Sequence, residues 1–374
     1  MRIISVIIAA ILAALPAIPT VAEAEVADQA QAYVLMELSS RTVLKEKNAD
    51  IQLNCGYLTK LMALLLIAED IDSGRYALTD ELTAGESVRG TKGAVVWLEP
   101  GDKMTVEELL KSAMIGNAND AVTVLAENSE GTLEAFTARM NSEAFDLGLR
   151  NTAFYSPYGY YDSREHTTAR DMAVICAELA RYDFLRPYFR TWRDFVRSGK
   201  TELVNENTLA RTYERHIGFK ACHSDESGYC CAEGGVNEDG VGYISVVLGA
   251  PDEEVSLTGA RKLISSGFTG YKVTATMFPD EMMRPVKVRG GVSDSDQIRI
   301  KCQKSLVIPK GVGELSTVVV LPDYVEAPVR AGQKVGTAAF YSEKNLVCET
   351  DIVAAEDAEE LTWLRTVKIM LLNL

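Results

Sequence analysis

The chain has 374 residues, 47% of them hydrophobic and 24% charged, with a formal net charge of −15 and a pI near 4.8. This length supports a full core and about two or three domains. The acidic balance excludes nucleic-acid binding, which needs a basic stripe against phosphate, and the absence of a short-period repeat excludes a solenoid.

Residues 1–24 read as a secretion leader. Arg2 is a short positive n-region, 3–15 is an apolar run, and Ala22-Glu23-Ala24 is a small-x-small cleavage pattern. The run is broken by Pro16 and Pro19 and falls short of the roughly 18 to 20 apolar residues of a membrane span. The mature chain is therefore expected outside the cytoplasmic membrane.

Residues 32–44 alternate around a Ser39-Ser40-Arg41 turn and predict a β-hairpin. Over 58–70 the period changes to helical, with Leu61, Leu64, Leu65 and Ala68 on one stripe. Further helices are expected over 106–114, 120–127, 136–147, 168–180 and 252–267. Strands are expected at 228–232 and 241–248, the second a continuous apolar run suited to the middle of a sheet. Near Pro279 and Pro285 the composition shifts to Val and Thr with punctuating glycine. Segments at 286–288, 298–300, 306–308, 315–321 and 325–329, with a turn at 332–336, predict a small β-sandwich or barrel. The chain thus divides into a mixed domain over 25–283, a β-rich domain over 284–357 and an amphipathic helix over 358–374. That last helix carries Trp363, Leu364 and Val367 with Arg365 and Lys368 between and around them, and is too short to span a bilayer. Peripheral contact with a membrane surface and docking on its own domain or a second copy both remain open.

The seven cysteines are Cys55, Cys176, Cys222, Cys230, Cys231, Cys302 and Cys348, an odd count that leaves at least one without an intrachain partner. Cys222-His223 with Cys230-Cys231 matches no standard zinc spacing, so neither a metal nor a cofactor is expected. Buried thiols and disulfides are both open. His166, His216 and His223 stand isolated, none at acid–base spacing to a nucleophile.

Three segments concentrate chemistry. Cys55-Gly56-Tyr57-Leu58-Thr59-Lys60 opens the first long helix, and Gly116-Asn117-Ala118-Asn119-Asp120 lies between two helices. Gly218-Phe219-Lys220-Ala221-Cys222-His223 runs into a strand. Their order and spacing resemble the S-x-x-K, S-x-N and K-T-G elements of penicillin-binding proteins and β-lactamases. Flanking segments such as Leu98-Glu99-Pro100-Gly101-Asp102, His166-Thr167-Thr168-Ala169-Arg170-Asp171 and Val246-Val247-Leu248-Gly249-Ala250-Pro251 extend the resemblance. It narrows to the D-alanyl-D-alanine carboxypeptidases and covers nearly all of the mature chain.

The resemblance implies an α/β (α+β) fold: a transpeptidase-like domain with an antiparallel sheet and helical subdomain, then a small all-β domain. It implies a serine that attacks the carbonyl between two D-alanines, with the lysine three residues on as its base. The S-x-N residues assist proton transfer and hold the substrate amide, and the K-T-G residues bind the terminal carboxylate. A peptidoglycan stem peptide or a β-lactam is the implied ligand.

This sequence departs from each element. Tyr57 stands at the nucleophile position and Asn117 at the first S-x-N position, while Ala221 and Cys222 replace threonine and glycine. Lys60, Asn119 and Lys220 are retained. Each retained residue also has an ordinary reading, the lysines as solvated side chains and Asn119 as a helix cap. Losing the serine removes the covalent route. Tyrosine is a nucleophile in some glycosidases, and Lys60 one turn away is expected to lower the Tyr57 pKa. Cys55 and Cys222 are expected to lie close enough for a disulfide across the cleft, with Cys302 and Cys348 as a second pair. Three functions follow: a non-catalytic binder of stem peptide or partner, a carboxypeptidase with an unusual nucleophile, or a structural envelope protein.

Overall fold

A computed structural model describes residues 26–160, 162–275, 284–291, 297–298, 300–301, 305–342 and 344–363. The expected leader, Cys302 and most of the expected C-terminal helix lie outside these residues.

The first domain is built on one antiparallel sheet. Its strands are β1 (Ala32–Glu37), β2 (Val43–Lys47), β3 (His216–Ser224), β4 (Gly228–Val236) and β5 (Gly242–Ala250). Their order across the sheet is β2-β1-β5-β4-β3, which leaves β3 as a free edge. The predicted hairpin is β1 and β2, paired Tyr33↔Lys47 through Leu35↔Lys45. The apolar run predicted as central is β5, paired on both sides and buried along its length except at Gly249.

The pleat sends alternate residues of these strands into two cores. Val34, Cys222, Cys230 and Val246 pack toward the helical side, whereas Leu35, Ala221, Cys231 and Val247 pack with the helix on the opposite face. On the helical side lie α1 (Lys60–Asp72), α2 (Val106–Met114), α3 (Asn119–Glu130), α4 (Leu133–Asp146) and α5 (Ala169–Leu179); α6 (Glu253–Gly270) covers the other face. The single stripe expected on α1 understates its environment. Every residue from Lys60 to Ala68 is buried, as in a helix surrounded by protein on all sides. Each fully buried leucine there contributes roughly 1.5–3 kcal/mol. Caps set the helix starts: Thr105 and Glu108 form a capping box on α2, and Asp252 accepts from Val255 N–H on α6.

A third core holds the C-terminal β domain, with Val286, Ile308, Val329, Phe340 and Ile352 at its centre. Its largest sheet pairs Leu315–Val320, Lys334–Ser342, Asn345–Ala354 and Ile300–Lys301. The strand Tyr271–Ala275 precedes the boundary expected at residue 283 and pairs with Ser305–Pro309. The predicted glycine turn contracts to Ala331–Gly332, because the following strand already begins at Lys334. Among the described residues no helix is long and apolar enough to cross a membrane.

Candidate active site

Three elements converge on one cleft: a 3₁₀ turn at Gly56–Thr59 that feeds α1, the entry to α3, and the free edge of β3. The structure gathers Tyr57, Lys60, Asn117, Asn119, Lys220 and Cys222 around it, whereas Ala221, expected with them, turns to the opposite face of the sheet because alternate residues of β3 point to opposite sides. The Lys60 amine lies over the Tyr57 ring, 4.4 Å from its centroid, and donates to the Tyr158 carbonyl at 3.3 Å. Lys60 and Lys220 are 0% and 4% exposed, so neither is the solvated side chain that its type suggests. Burial, then the neighbouring Lys220, holds the Lys60 pKa well below the usual lysine value; burial also lowers that of Lys220.

Tyr57 behaves contrary to the sequence-based expectation. Its pKa is raised, first by burial and then by Tyr160, Cys222, Glu206 and Glu226. An amine over a ring face engages the π-system and not the phenolic oxygen, and a lysine of depressed pKa adds little positive charge. The proximity of Lys60 therefore does not produce a phenolate.

Asn119 is the first residue of α3 and is not its cap, a position held by Ala118. Its Nδ2 donates to the Lys92 carbonyl (2.7 Å) and the Tyr160 hydroxyl (3.2 Å). Tyr160 in turn accepts from Lys92 N–H at 2.6 Å. The loop through Gly93 thus closes on the cleft: a Cβ there would lie 2.8 Å from Asn119 Nδ2 and 3.8 Å from the Tyr57 hydroxyl. Buried Asp120 secures this loop by accepting from Val96 and Leu98 N–H at 3.0 Å. Asn117 donates to Glu206 Oε1 at 3.1 Å. Asn117 Oδ1 and Asn119 Oδ1 are buried without a hydrogen-bond partner among the described residues.

The expected Cys55–Cys222 disulfide is absent. Both are free, buried thiols, and Cys222 Sγ lies 3.5 Å from the Cys55 carbonyl. Burial raises both thiol pKa values, which disfavours a thiolate nucleophile. Thr59 faces away from Lys60 and donates to Glu165 Oε1 at 2.6 Å. His216 is not isolated. Its Nδ1 meets Glu233 Oε1 at 2.6 Å and its Nε2 the Phe189 carbonyl at 3.0 Å, while Asn207 donates to Glu233 at 2.8 Å.

Sequence reasoning missed Glu206, Glu165 and Tyr160, none of which belongs to a recognisable motif. Among the described residues no group of three or more His, Cys, Asp or Glu side chains is arranged to hold a metal.

A family model described as D-alanyl-D-alanine carboxypeptidase matches residues 19–252. The chain belongs to the D-alanyl-D-alanine carboxypeptidase family of low-molecular-weight penicillin-binding proteins. The C-terminal domain model of penicillin-binding protein 5 matches residues 273–360. The chain is 29% identical over 349 residues to D-alanyl-D-alanine carboxypeptidase DacF of Bacillus subtilis, covering 92% of this chain and 90% of that one. Penicillin binding protein 5 of Haemophilus influenzae shares the fold with a TM-score of 0.75 and 25% identity, over 89% of this chain and 98% of that one. Penicillin-binding protein D2 of Listeria monocytogenes, solved in its ampicillin bound form, has a TM-score of 0.58 at 23% identity, over 64% of this chain and 98% of that one.

Proposed function

We propose that this carboxypeptidase homologue acts in peptidoglycan metabolism as a catalytically impaired, secreted binder of stem peptides or of a partner protein. One observation carries the reading: the aromatic ring of Tyr57 occupies the space over the Lys60 amine, with its phenol pKa raised. An acyl-enzyme needs an activated oxygen or sulfur within hydrogen-bond reach of a base. The Lys60 amine meets the ring face of Tyr57 and the Tyr158 carbonyl, and burial raises the pKa values of Tyr57, Cys55 and Cys222, which supports loss of the covalent route. Ligand binding does not need that route. The buried Lys220, the unpaired Asn119 acceptor and the open edge of β3 support retention of a peptide by strand addition.

The expected leader supports a location outside the cytoplasmic membrane. Trp363, within the expected C-terminal helix and 77% exposed, supports peripheral contact with the membrane surface. A fluorescent penicillin tests the central reading. The purified protein is expected to stay unlabelled and to release no D-alanine from a peptide ending in D-Ala-D-Ala, yet to bind that peptide through Lys220. Labelling that disappears in Tyr57→Phe would establish the alternative, a carboxypeptidase with a tyrosine nucleophile and Lys60 as its base.

A further inference from the structure

One short turn, residues 156–160, engages two of the three retained residues. It brings the Tyr158 carbonyl to the Lys60 amine at 3.3 Å and the Tyr160 hydroxyl to Asn119 Nδ2 at 3.2 Å. The turn is firmly seated. Ser156 Oγ accepts from the Gly159 and Tyr160 N–H groups at 3.0 and 3.3 Å, and the Tyr158 and Tyr160 rings lie 4.9 Å apart. Asn119 carries two amide N–H donors and one carbonyl acceptor. One donor goes to the Lys92 carbonyl at 2.7 Å and the other to the Tyr160 hydroxyl. Tyr160 closes the ring, since its oxygen accepts from Lys92 N–H at 2.6 Å and its proton goes to the Lys92 carbonyl. Asn119 is fully buried, and only its Oδ1, without a partner among the described residues, is left for a ligand. A ligand carbonyl arriving there would gain no hydrogen bond while losing its water.

We propose that Tyr160 is a specificity-determining latch on the cleft. With its hydroxyl in place, Asn119 offers an acceptor alone, so a ligand N–H is matched and a ligand carbonyl is not. A carbonyl gains its partner only when Tyr160 releases Asn119 Nδ2. Tyr160 is thus a positioning residue that acts on the ligand through Asn119. The inference rests on the reading of the cleft as a peptide-binding site.

Nα,Nε-diacetyl-L-lysyl-D-alanyl-D-alanine is titrated calorimetrically into the full chain, its Tyr160→Phe and Asn119→Ala variants and the double variant. Phenylalanine keeps the ring beside Tyr158 and removes the hydroxyl alone. Tyr160→Phe is expected to bind the peptide at least about fivefold more tightly than the wild type, because one amide donor becomes free for a ligand carbonyl. That gain is expected to vanish when Asn119→Ala is also present. Without ligand, the Lys92 amide is expected to exchange faster in Tyr160→Phe, having lost its acceptor, a readout that leaves the buried Asn119 in place. A gain that persists without Asn119 would show that Tyr160 merely obstructs the cleft, and equal or weaker binding by Tyr160→Phe would show that its hydroxyl withholds nothing. Either result, or unchanged exchange at Lys92, overturns the latch and leaves the peptide-binding cleft standing. Binding by none of the four proteins overturns both.

Discussion

Replacing Glu165 with glutamine should remove a specific pH dependence from the stability of this protein. Glu165 is 4% exposed and holds the turn that carries Tyr57, accepting from the Thr59 hydroxyl at 2.6 Å and Tyr155 N–H at 3.2 Å. Burial raises its pKa from 4.5 to about 7, against the opposing hydrogen bonds of Thr59, Tyr155 and Ser156. The folded state therefore binds this proton more tightly than the unfolded chain. The stabilisation is fully present below about pH 4.5 and is lost as pH rises through about 7. At 1.36 kcal/mol per unit, the whole effect is about 3 kcal/mol, of which about 2.5 kcal/mol falls between about pH 5 and pH 8. Urea unfolding at those two pH values measures it. The wild type should lose about 2–3 kcal/mol more than Glu165→Gln on going from acid to alkaline pH, since every other titrating group is common to both. Equal losses in the two proteins would refute the assignment of a protonated Glu165 beneath the turn.

Gly159→Ala places a Cβ 2.1 Å from the Gly56 carbonyl oxygen at a backbone φ of +80°. It should cost roughly 1–3 kcal/mol and speed amide exchange across residues 56–60; an unchanged melt and exchange pattern would show that the contact yields freely. His216→Ala strands Glu233 in the core, so guanidinium unfolding should reveal a loss of about 3–5 kcal/mol. A loss under about 1 kcal/mol would mean that Glu233 is satisfied without the imidazole. Iodoacetamide at mildly alkaline pH should leave Cys55, Cys176, Cys222, Cys230 and Cys231 unmodified in the folded protein and label them after denaturation, since all five are buried free thiols. Peptide mapping without reductant should yield no Cys55–Cys222 cross-link, and finding one would contradict the observed geometry.

Residue order alone was enough to recover the hairpin β1–β2, the helices α1 to α6 and the central strand β5. Their periodicities reflect which face meets the core, and caps such as Thr105 and Asp252 mark where helices begin. The resemblance of the segments holding Tyr57, Lys60, Asn117, Asn119 and Lys220 to the S-x-x-K, S-x-N and K-T-G elements also brought the candidate cleft into view. Spacing does not report environment, and three consequences of environment emerged only in three dimensions. Tyr57 has a raised and not a lowered pKa, Cys55 and Cys222 remain thiols, and His216 finds Glu233 across the β3–β4 pair. Glu206 and Glu253 carry no motif, and their chain positions lie far apart. Only the packing of α6 beside the β3 edge makes them two walls of one cavity. A pKa, a bond or a pocket depends on what surrounds a group, and those surroundings are assembled from segments that do not adjoin in the chain.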